Sequence, residues 1–153
     1  MKIVILTVGR IKDAHVSSLT NRYISRLRTY TPVALENVPD VKDQEPSKRI
    51  AREGAMILKA INDRDYLVTL EECGVQFDSI SFSAWLRSSL EAARGRVVMV
   101  IGGAFGLSDE VRRRSDFSLS LSEMTLPHEL CPLFLAEQLY RAASIANGVK
   151  YHH

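Results

Sequence analysis

The segment VVMVIGGAFGLSDEV, residues 97–111, restricts the possible folds of this chain more than any other segment. Five apolar and mostly β-branched residues run into a loop with three glycines, and Ser108, Asp109 and Glu110 then provide a helix start. A short apolar run without polar alternation is typical of a strand that is buried on both faces, as in parallel sheets. The segment therefore predicts a strand, a tight loop and a helix, which are the parts of an α/β fold.

The rest of the chain repeats this alternation of strand and helix. Apolar and β-branched runs predict strands over residues 2–8, 32–38, 66–70, 97–101 and 117–121. Apolar positions at helical spacing predict helices over 15–28, from Ser47 as a cap through Ile61, from Ser79 or Ser81 to 93, after Ser108, and from about 131 to 146. This order favours an α/β domain with a mainly parallel sheet and helices on both faces. Because no linker or repeat interrupts the 153 residues, we expect one domain over 1–153.

Composition favours a globular protein without a membrane segment. No apolar run approaches the roughly 20 residues of a membrane span, and the N-terminal segment lacks a signal-peptide cleavage pattern. Cys73 and Cys131 form no CxxC pair, which favours a reduced, cytoplasmic setting. The two cysteines and four histidines show no metal-ligand spacing, so we expect no metal. A net charge of +2 neither requires nor excludes a nucleic-acid partner.

Three predicted loops follow strands, at residues 71–74, 102–106 and 122–128. Ligands of parallel sheets bind outside the carboxyl ends of the strands, so we expect these loops to lie together. The sequence GGAFG is not GxGxxG, and no GxxxxGK[ST] occurs. Asp109 and Glu110, in the first turn of the next helix, would repel a phosphate. The loop favours a ligand with little negative charge, and a plain tight turn is the alternative.

Several short motifs occur in a set order along the chain. They are KIVILTVGRIKD at 2–13, RIAREG at 49–54, VIGGAFGLS at 100–108, LSEMTLPH at 121–128, EQLYRA at 137–142 and YH at 151–152. Together they resemble the SPOUT, or α/β-knot, methyltransferases of the ribosomal RNA large subunit methyltransferase H type, over nearly the whole chain. The resemblance implies a C-terminal trefoil knot, a homodimer and S-adenosylmethionine bound in the knot. It also implies methylation of N3 of a pseudouridine in the 23S ribosomal RNA of the large subunit.

By motif position, the resemblance implies a cofactor pocket with ten residues. They are Leu70, Gly102, Gly103, Gly106, Leu121, Ser122, Glu123, Met124, Thr125 and Leu126. Backbone groups of this pocket would bind the adenine, so the hydroxyl side chains at 122 and 125 can equally belong to turn residues. The cofactor carries a sulfonium and no phosphate, which agrees with the acidic helix start after the glycines.

The resemblance further implies a catalytic set of His128, Arg141, Tyr151 and His152. In this hypothesis the C-terminal tail of one subunit reaches the pocket of the other, where a histidine could accept the N3 proton because its ordinary pKa is about 6.5. Simpler alternatives are a surface histidine at 128, a helical ion pair of Arg141 with Glu137, and a disordered chain end. The basic run at 112–114 is either solvated or binds phosphate.

The last helix, residues 133–146, is expected in or near the dimer interface. Leu135, Leu139, Ala142 and Ala143 give it an apolar stripe. A helix that faces the core of its own chain would show the same stripe.

Two positions depart from the family pattern. Pro132 stands four positions after His128, where the family usually has Arg, and the tail reads KYHH where the family usually has Pro-Tyr-His and a basic residue. By the resemblance, both positions lie where the RNA or the leaving groups would be. The departures therefore leave three hypotheses open. The chain is a large-subunit rRNA methyltransferase, a SPOUT-fold S-adenosylmethionine-binding protein with another RNA substrate or reduced activity, or a non-enzymatic ribosome-binding module.

Overall fold

The computed structural model describes residues 2–153 and contains one five-stranded sheet. The elements in chain order are β1 (Ile3–Val8), α1 (Ala14–Leu27), β2 (Val33–Val38), α2 (Pro46–Ala60), β3 (Tyr66–Val75), α3 (Ser79–Ala92), β4 (Val97–Ile101), α4 (Asp109–Arg114), β5 (Phe117–Leu119) and α5 (Leu130–Ala146). All paired strands are parallel, in the order β2-β1-β4-β3-β5. The predicted α/β fold with a parallel sheet is confirmed.

Helices cover both faces of the sheet. Because side chains alternate along a strand, Ile3 and Ile5 of β1 pack in one apolar cluster, and Val4 and Leu6 pack in the other. The first cluster contains side chains of α1, α3 and α5, and the second contains side chains of α2 and α4. The central strands β1 and β4 are buried along their whole length, which explains their unbroken apolar runs.

The cap predicted for α2 is wrong, whereas α3 begins at one of its two predicted starts. Ser47 does not cap α2, because the helix begins one residue earlier at Pro46, and the Ser47 hydroxyl donates to Glu45 Oε1 at 2.9 Å. A proline at the first helical position loses no hydrogen bond there, so α2 begins at Pro46 without a side-chain cap. Helix α3 begins at Ser79, and its cap is Asp78, which accepts a hydrogen bond from Ser81 N at 2.7 Å.

Strand β3 is longer than predicted. Leu70 and Val75 both pair with Leu119 of β5, so residues 71–74 form a bulge inside the strand instead of a loop after it. Gly74 allows this because a Cβ there would lie 2.6 Å from the carbonyl carbon of Leu119. Strand β5 ends at Leu119, before the predicted Leu121. Glycine at the bulge therefore permits a backbone contact that no side chain would allow.

The apolar stripe of α5 faces the core of its own chain. Leu135, Leu139 and Ala142 are buried with residues of α1 and α3, and Ala143 packs against the same cluster. The stripe therefore packs in the core of its own chain, as the alternative has it, and the position of α5 in or near a dimer interface stays a prediction. The exposed apolar side chains of α5 are Leu130 and Phe134, one helical turn apart. No helix within residues 2–153 is long and apolar enough to cross a membrane.

Candidate active site

A cavity of about 610 Å³ lies at the carboxyl ends of β3 and β4. Three segments that are far apart in sequence form its walls, together with one side chain of α4. The lining residues are 70–73, 101–104, 106, 107, 112, 121, 122, 124–128 and 131. Its size lies within the ordinary range for a small-molecule site, roughly 300–1,000 Å³. The three segments predicted as loops do meet there, although residues 71–74 belong to β3.

The cavity contains nine of the ten residues predicted for the cofactor pocket. Leu70, the three glycines, Leu121, Ser122 and residues 124–126 line it, whereas Glu123 is exposed and does not. His128 of the predicted catalytic set also lines this cavity.

Residues 102–106, the glycine loop, form a tight turn. The backbone N–H of Gly106 donates to the carbonyl oxygen of Gly103 at 3.0 Å, and Gly106 has a φ of +82°, which favours glycine. A Cβ on Gly102 would lie 2.9 Å from the carbonyl carbon of Gly106. A Cβ on Gly103 would lie 2.7 Å from Glu53 Oε2, which belongs to the protein interior. The loop can be this compact because Gly102 and Gly103, at its start, have no side chains.

The helix after the glycine loop begins as predicted. Ser108 caps α4 by accepting a hydrogen bond from Val111 N at 3.3 Å, and Asp109 and Glu110 occupy the first turn. These carboxylates disfavour a phosphate at this end of α4.

The basic run of α4 is paired with carboxylates. Arg112 donates from Nε to Glu71 Oε2 at 2.8 Å, Arg113 pairs with Glu110, and Arg114 pairs with Asp116. The hydrogen bond to Glu71 raises the pKa of Arg112. Because Arg112 and Glu71 both line the cavity, this pair gives the wall a fixed dipole.

The residues predicted for the cofactor pocket leave out several side chains of the cavity wall. Glu72, Cys73, Arg112 and Cys131 all line it, although the cysteines are 58 positions apart. Burial raises the pKa of the Cys131 thiol, which keeps it protonated, and its Sγ lies 3.6 Å from the carbonyl oxygen of Pro127. The available signals were the predicted loop at 71–74, which contains Glu72 and Cys73, and the predicted start of the last helix near residue 131.

The other three predicted catalytic residues form a separate cluster, which we call the tail cluster. Tyr151 donates its hydroxyl hydrogen to Glu137 Oε1 at 2.9 Å, and Arg141 Nη2 donates to the same oxygen at 2.6 Å. The Arg141 guanidinium lies 4.8 Å from the centroid of the Tyr151 ring and 3.4 Å from His152 Nδ1. The chain end is therefore docked on α5. The ion pair between Glu137 and Arg141 is present as the simpler alternative has it.

The tail cluster and the cavity lie at different places along α5. Cys131 lines the cavity and Arg141 lies ten residues later, which corresponds to about 15 Å of helix. Arg141, Tyr151 and His152 do not line the cavity within residues 2–153. Within one chain, the predicted catalytic set is divided between His128 at the cavity and the other three in the tail cluster.

The chain matches one family model and is similar over nearly its whole length to several named proteins. A model described as "Predicted SPOUT methyltransferase" matches residues 1–152. A protein of Oleidesulfovibrio alaskensis named Ribosomal RNA large subunit methyltransferase H is 43% identical, over 97% of this chain and 97% of its own length. A protein of Parabacteroides distasonis with the same name is 36% identical, over 100% of this chain and 99% of its own length.

Solved structures share the fold at low sequence identity. A probable methylase family protein from Haemophilus influenzae aligns with a TM-score of 0.57 and 13% identity, over 99% of this chain and 70% of its own. A probable methyltransferase from Bordetella pertussis aligns with a TM-score of 0.54 and 14% identity, over 93% of each chain. At this low identity, the similarity shows only that the strands and helices are arranged in the same way.

Proposed function

The chain belongs to the SPOUT methyltransferase family, and from this premise we propose that it methylates the 23S ribosomal RNA of the large subunit. The methyl donor is S-adenosylmethionine, and the acceptor is N3 of a pseudouridine, as the family resemblance implies. The observation that carries the proposal is the match, over nearly the full length of both chains, to relatives named for this RNA. The reaction would take place where ribosomes are found, in the cytoplasm.

The cavity has the chemistry that such a donor needs. Three glycines of its loop line the cavity without side chains, so the backbone there can come close to an adenine. Glu71 and Glu72 on the wall suit a ligand with a sulfonium and an ammonium group, because carboxylates attract both cations. The Arg112 guanidinium on the same wall can receive a carboxylate. The acidic start of α4 disfavours nucleotides with phosphates.

The protein's part in this reaction is alignment and proton removal. When bound, S-adenosylmethionine supplies an activated methyl group, so no metal is needed to make the carbon electrophilic. The N3 imide must lose its proton as the new bond forms, so a base or a hydrogen-bond partner has to reach that nitrogen. His128 is the member of the predicted set on the cavity wall. We assign it the contact with the entering base.

The tail cluster suggests different roles for its two terminal side chains. Burial raises the pKa of Tyr151, and its hydrogen bonds with Tyr23 and Glu137 act in the same direction. Tyr151 therefore remains protonated near neutral pH and serves as a donor or as a stacking surface. A guanidinium only donates, so His152 Nδ1 accepts from Arg141 in this arrangement. To act as a base through Nε2, His152 must leave Arg141 or change its tautomer.

Two copies of the chain would bring the tail cluster to the cavity. We propose a homodimer in which the tail of each subunit approaches the cavity of the other, because about 15 Å of α5 separates the two groups within one chain. Phe105, Met124, Leu130 and Phe134 are exposed apolar side chains suited to such an interface. We also propose the trefoil knot that the resemblance implies, formed by the segment that lines the cavity between β5 and α5.

The dimer is directly measurable. Sedimentation equilibrium at micromolar concentration should give about twice the 17.2 kDa chain mass. We expect Phe134→Glu to shift the protein toward monomers, because a carboxylate would have to be buried against apolar surface. Ala55→Glu, which places the same charge on an exposed residue of α2 at the other face of the sheet, is the control. A parent protein that sediments as a monomer would contradict the proposal.

The RNA target is tested in cells and in vitro. Mass spectrometry of rRNA from a strain that lacks the gene should show one methyl group missing from a 23S pseudouridine, and the purified protein should restore it with S-adenosylmethionine. Separate incubations with free rRNA, the large subunit and the whole ribosome would identify the form it accepts. If the protein binds S-adenosylmethionine but the rRNA of the deletion strain is unchanged, the alternative holds, and the substrate is another RNA or the activity is reduced.

A further inference from the structure

Two residues of α2 contact the glycine loop, and a third contacts the cap of the helix that follows it. Glu53 Oε2 lies where a side chain on Gly103 would begin, and the Arg49 guanidinium lies 5.3 Å from the centroid of the Phe105 ring. A Cβ on Gly54 would lie 2.8 Å from the Cβ of Ser108, the cap of α4. These three α2 residues belong to the RIAREG motif, for which the proposed reaction has no direct use.

The carboxylate of Glu53 is held in an unusual environment. The residue is 2% exposed, and its Oε1 accepts from Val41 N at 3.2 Å and from Arg49 Nε at 3.1 Å. Its Oε2 is buried and has no hydrogen-bond partner among residues 2–153. Leaving a buried acceptor unpaired is costly, and such groups are rare in folded proteins. A group of this kind directly beneath a ligand loop indicates a role beyond packing.

One ion network connects these contacts. Arg49 pairs with Asp40 in a short contact and with Glu53, and its side chain is only 19% exposed. These carboxylates hold the guanidinium in place, and Phe105 lies against it although half of that residue is exposed. Buried ion pairs contribute little net stability compared with apolar packing, and a defined geometry is the better-attested reason to keep one. Here the geometry that they define is that of the loop.

We propose that Glu53 and Arg49 are positioning residues that keep the glycine loop in the conformation that admits the methyl donor. Glu53 supports the loop at Gly103, and Arg49 holds Phe105. This inference rests on the proposed function, because the ligand whose affinity it concerns is S-adenosylmethionine. Neither side chain lines the cavity, so both act through the loop and not by contact with the ligand.

The test is to neutralise Glu53 while keeping its shape. Glu53→Gln should raise the Kd for S-adenosylmethionine, measured by calorimetry, by roughly tenfold or more, because the amide breaks the charged pair with Arg49 beneath Gly103. At saturating cofactor, kcat should stay within about twofold, since the reacting groups are untouched. Arg49→Lys should weaken binding less than Arg49→Gln, because lysine keeps the charge but not the planar fork.

The control is Glu45→Gln, which makes the same chemical change at the exposed start of α2. It should leave the Kd unchanged. If Glu53→Gln does not fold, Phe105→Leu replaces it, because that variant removes the ring from Arg49 and leaves the buried carboxylate in place. Binding by Phe105→Leu should then be several-fold weaker than in the parent.

The outcomes separate the two proposals. A parent that binds S-adenosylmethionine and a folded Glu53→Gln variant with the same Kd would overturn the positioning role only. A parent that does not bind S-adenosylmethionine would overturn the proposed function. In that case amide exchange at residues 103–106 of the free protein still tests positioning, because exchange should be faster in Glu53→Gln than in Glu45→Gln. Equal rates would overturn it.

Discussion

Removal of residues 150–153 is expected to slow methyl transfer by roughly 10²-fold or more and to leave the affinity for S-adenosylmethionine unchanged. The deleted segment contains Tyr151 and His152, which we place at the cavity of the partner subunit. It contributes no residue to the cavity of its own chain. Single-turnover methylation with saturating ribosomes and calorimetry with the cofactor would measure the two quantities separately.

The truncation should disturb the fold only slightly. Tyr151 is half-buried, and it rests on Tyr140 at 4.7 Å between ring centroids instead of entering either apolar cluster. A melting temperature within several degrees of the parent is therefore expected. Lys150→Ala, at an exposed position in the same segment, is the matched control and should keep nearly full activity. Parental rates in the truncated protein would mean that the tail has no part in the reaction.

A mixing experiment distinguishes a tail that acts on its own chain from one that acts on its partner. The truncated chain retains a normal cavity, and a chain with a damaged glycine loop retains a normal tail. If the tail acts across the dimer, heterodimers of these two inactive variants contain one complete site and regain activity. If each tail acts on its own chain, the mixture stays inactive.

Gly102→Ala is expected to weaken the binding of S-adenosylmethionine by roughly 30-fold or more, because the loop cannot keep its shape. The added methyl group would lie 2.9 Å from the carbonyl carbon of Gly106 and 3.0 Å from its oxygen, and both are backbone atoms that must move. Overpacking of this kind typically costs about 1–3 kcal/mol. The loop would widen to relieve it, and the bound ligand would then lose contacts with the loop. Isothermal calorimetry with S-adenosylmethionine measures the effect.

The matched control is a second glycine with a similar contact at the opposite end of the sheet. A Cβ on Gly95 would lie 2.7 Å from the carbonyl oxygen of Arg64, so Gly95→Ala should destabilise the protein to a comparable degree. Because residue 95 precedes β4 and lies away from the cavity, cofactor affinity should not change. Equal losses of affinity in both variants would show that Gly102→Ala acts through stability and not through the loop.

Much of the architecture can be predicted from local pattern. The unbroken apolar run at Val97–Ile101 predicts a strand that is covered on both faces, and β4 is the strand between β1 and β3. The cap at Ser108 and the acidic first turn of α4 were also predictable, because the capping hydrogen bond joins residues only three positions apart. The ordered motifs identify the family, and the rule for parallel sheets brings three loops to one edge.

Contacts between distant segments could not be predicted in this way. The stripe Leu135, Leu139 and Ala142 shows that one face of α5 is apolar, but periodicity does not say whether the covering surface belongs to the same chain. The bulge at 71–74 depends on how β3 meets the backbone of β5, about 45 residues later. The position of the two cysteines on one cavity wall has the same origin.

The buried carboxylate of Glu53 illustrates the physical reason. In the sequence it is an ordinary helical glutamate four residues after an arginine, a spacing that usually means an exposed ion pair. Its burial results from the packing of α2 on the sheet beside the glycine loop, which places Gly103 against its Oε2. Local pattern determined the central part of each strand and helix and the cap at Ser108, because those depend on near neighbours. Only the tertiary structure decided which charges lost their water and which loops they support, because that depends on segments about 50 residues apart in the chain.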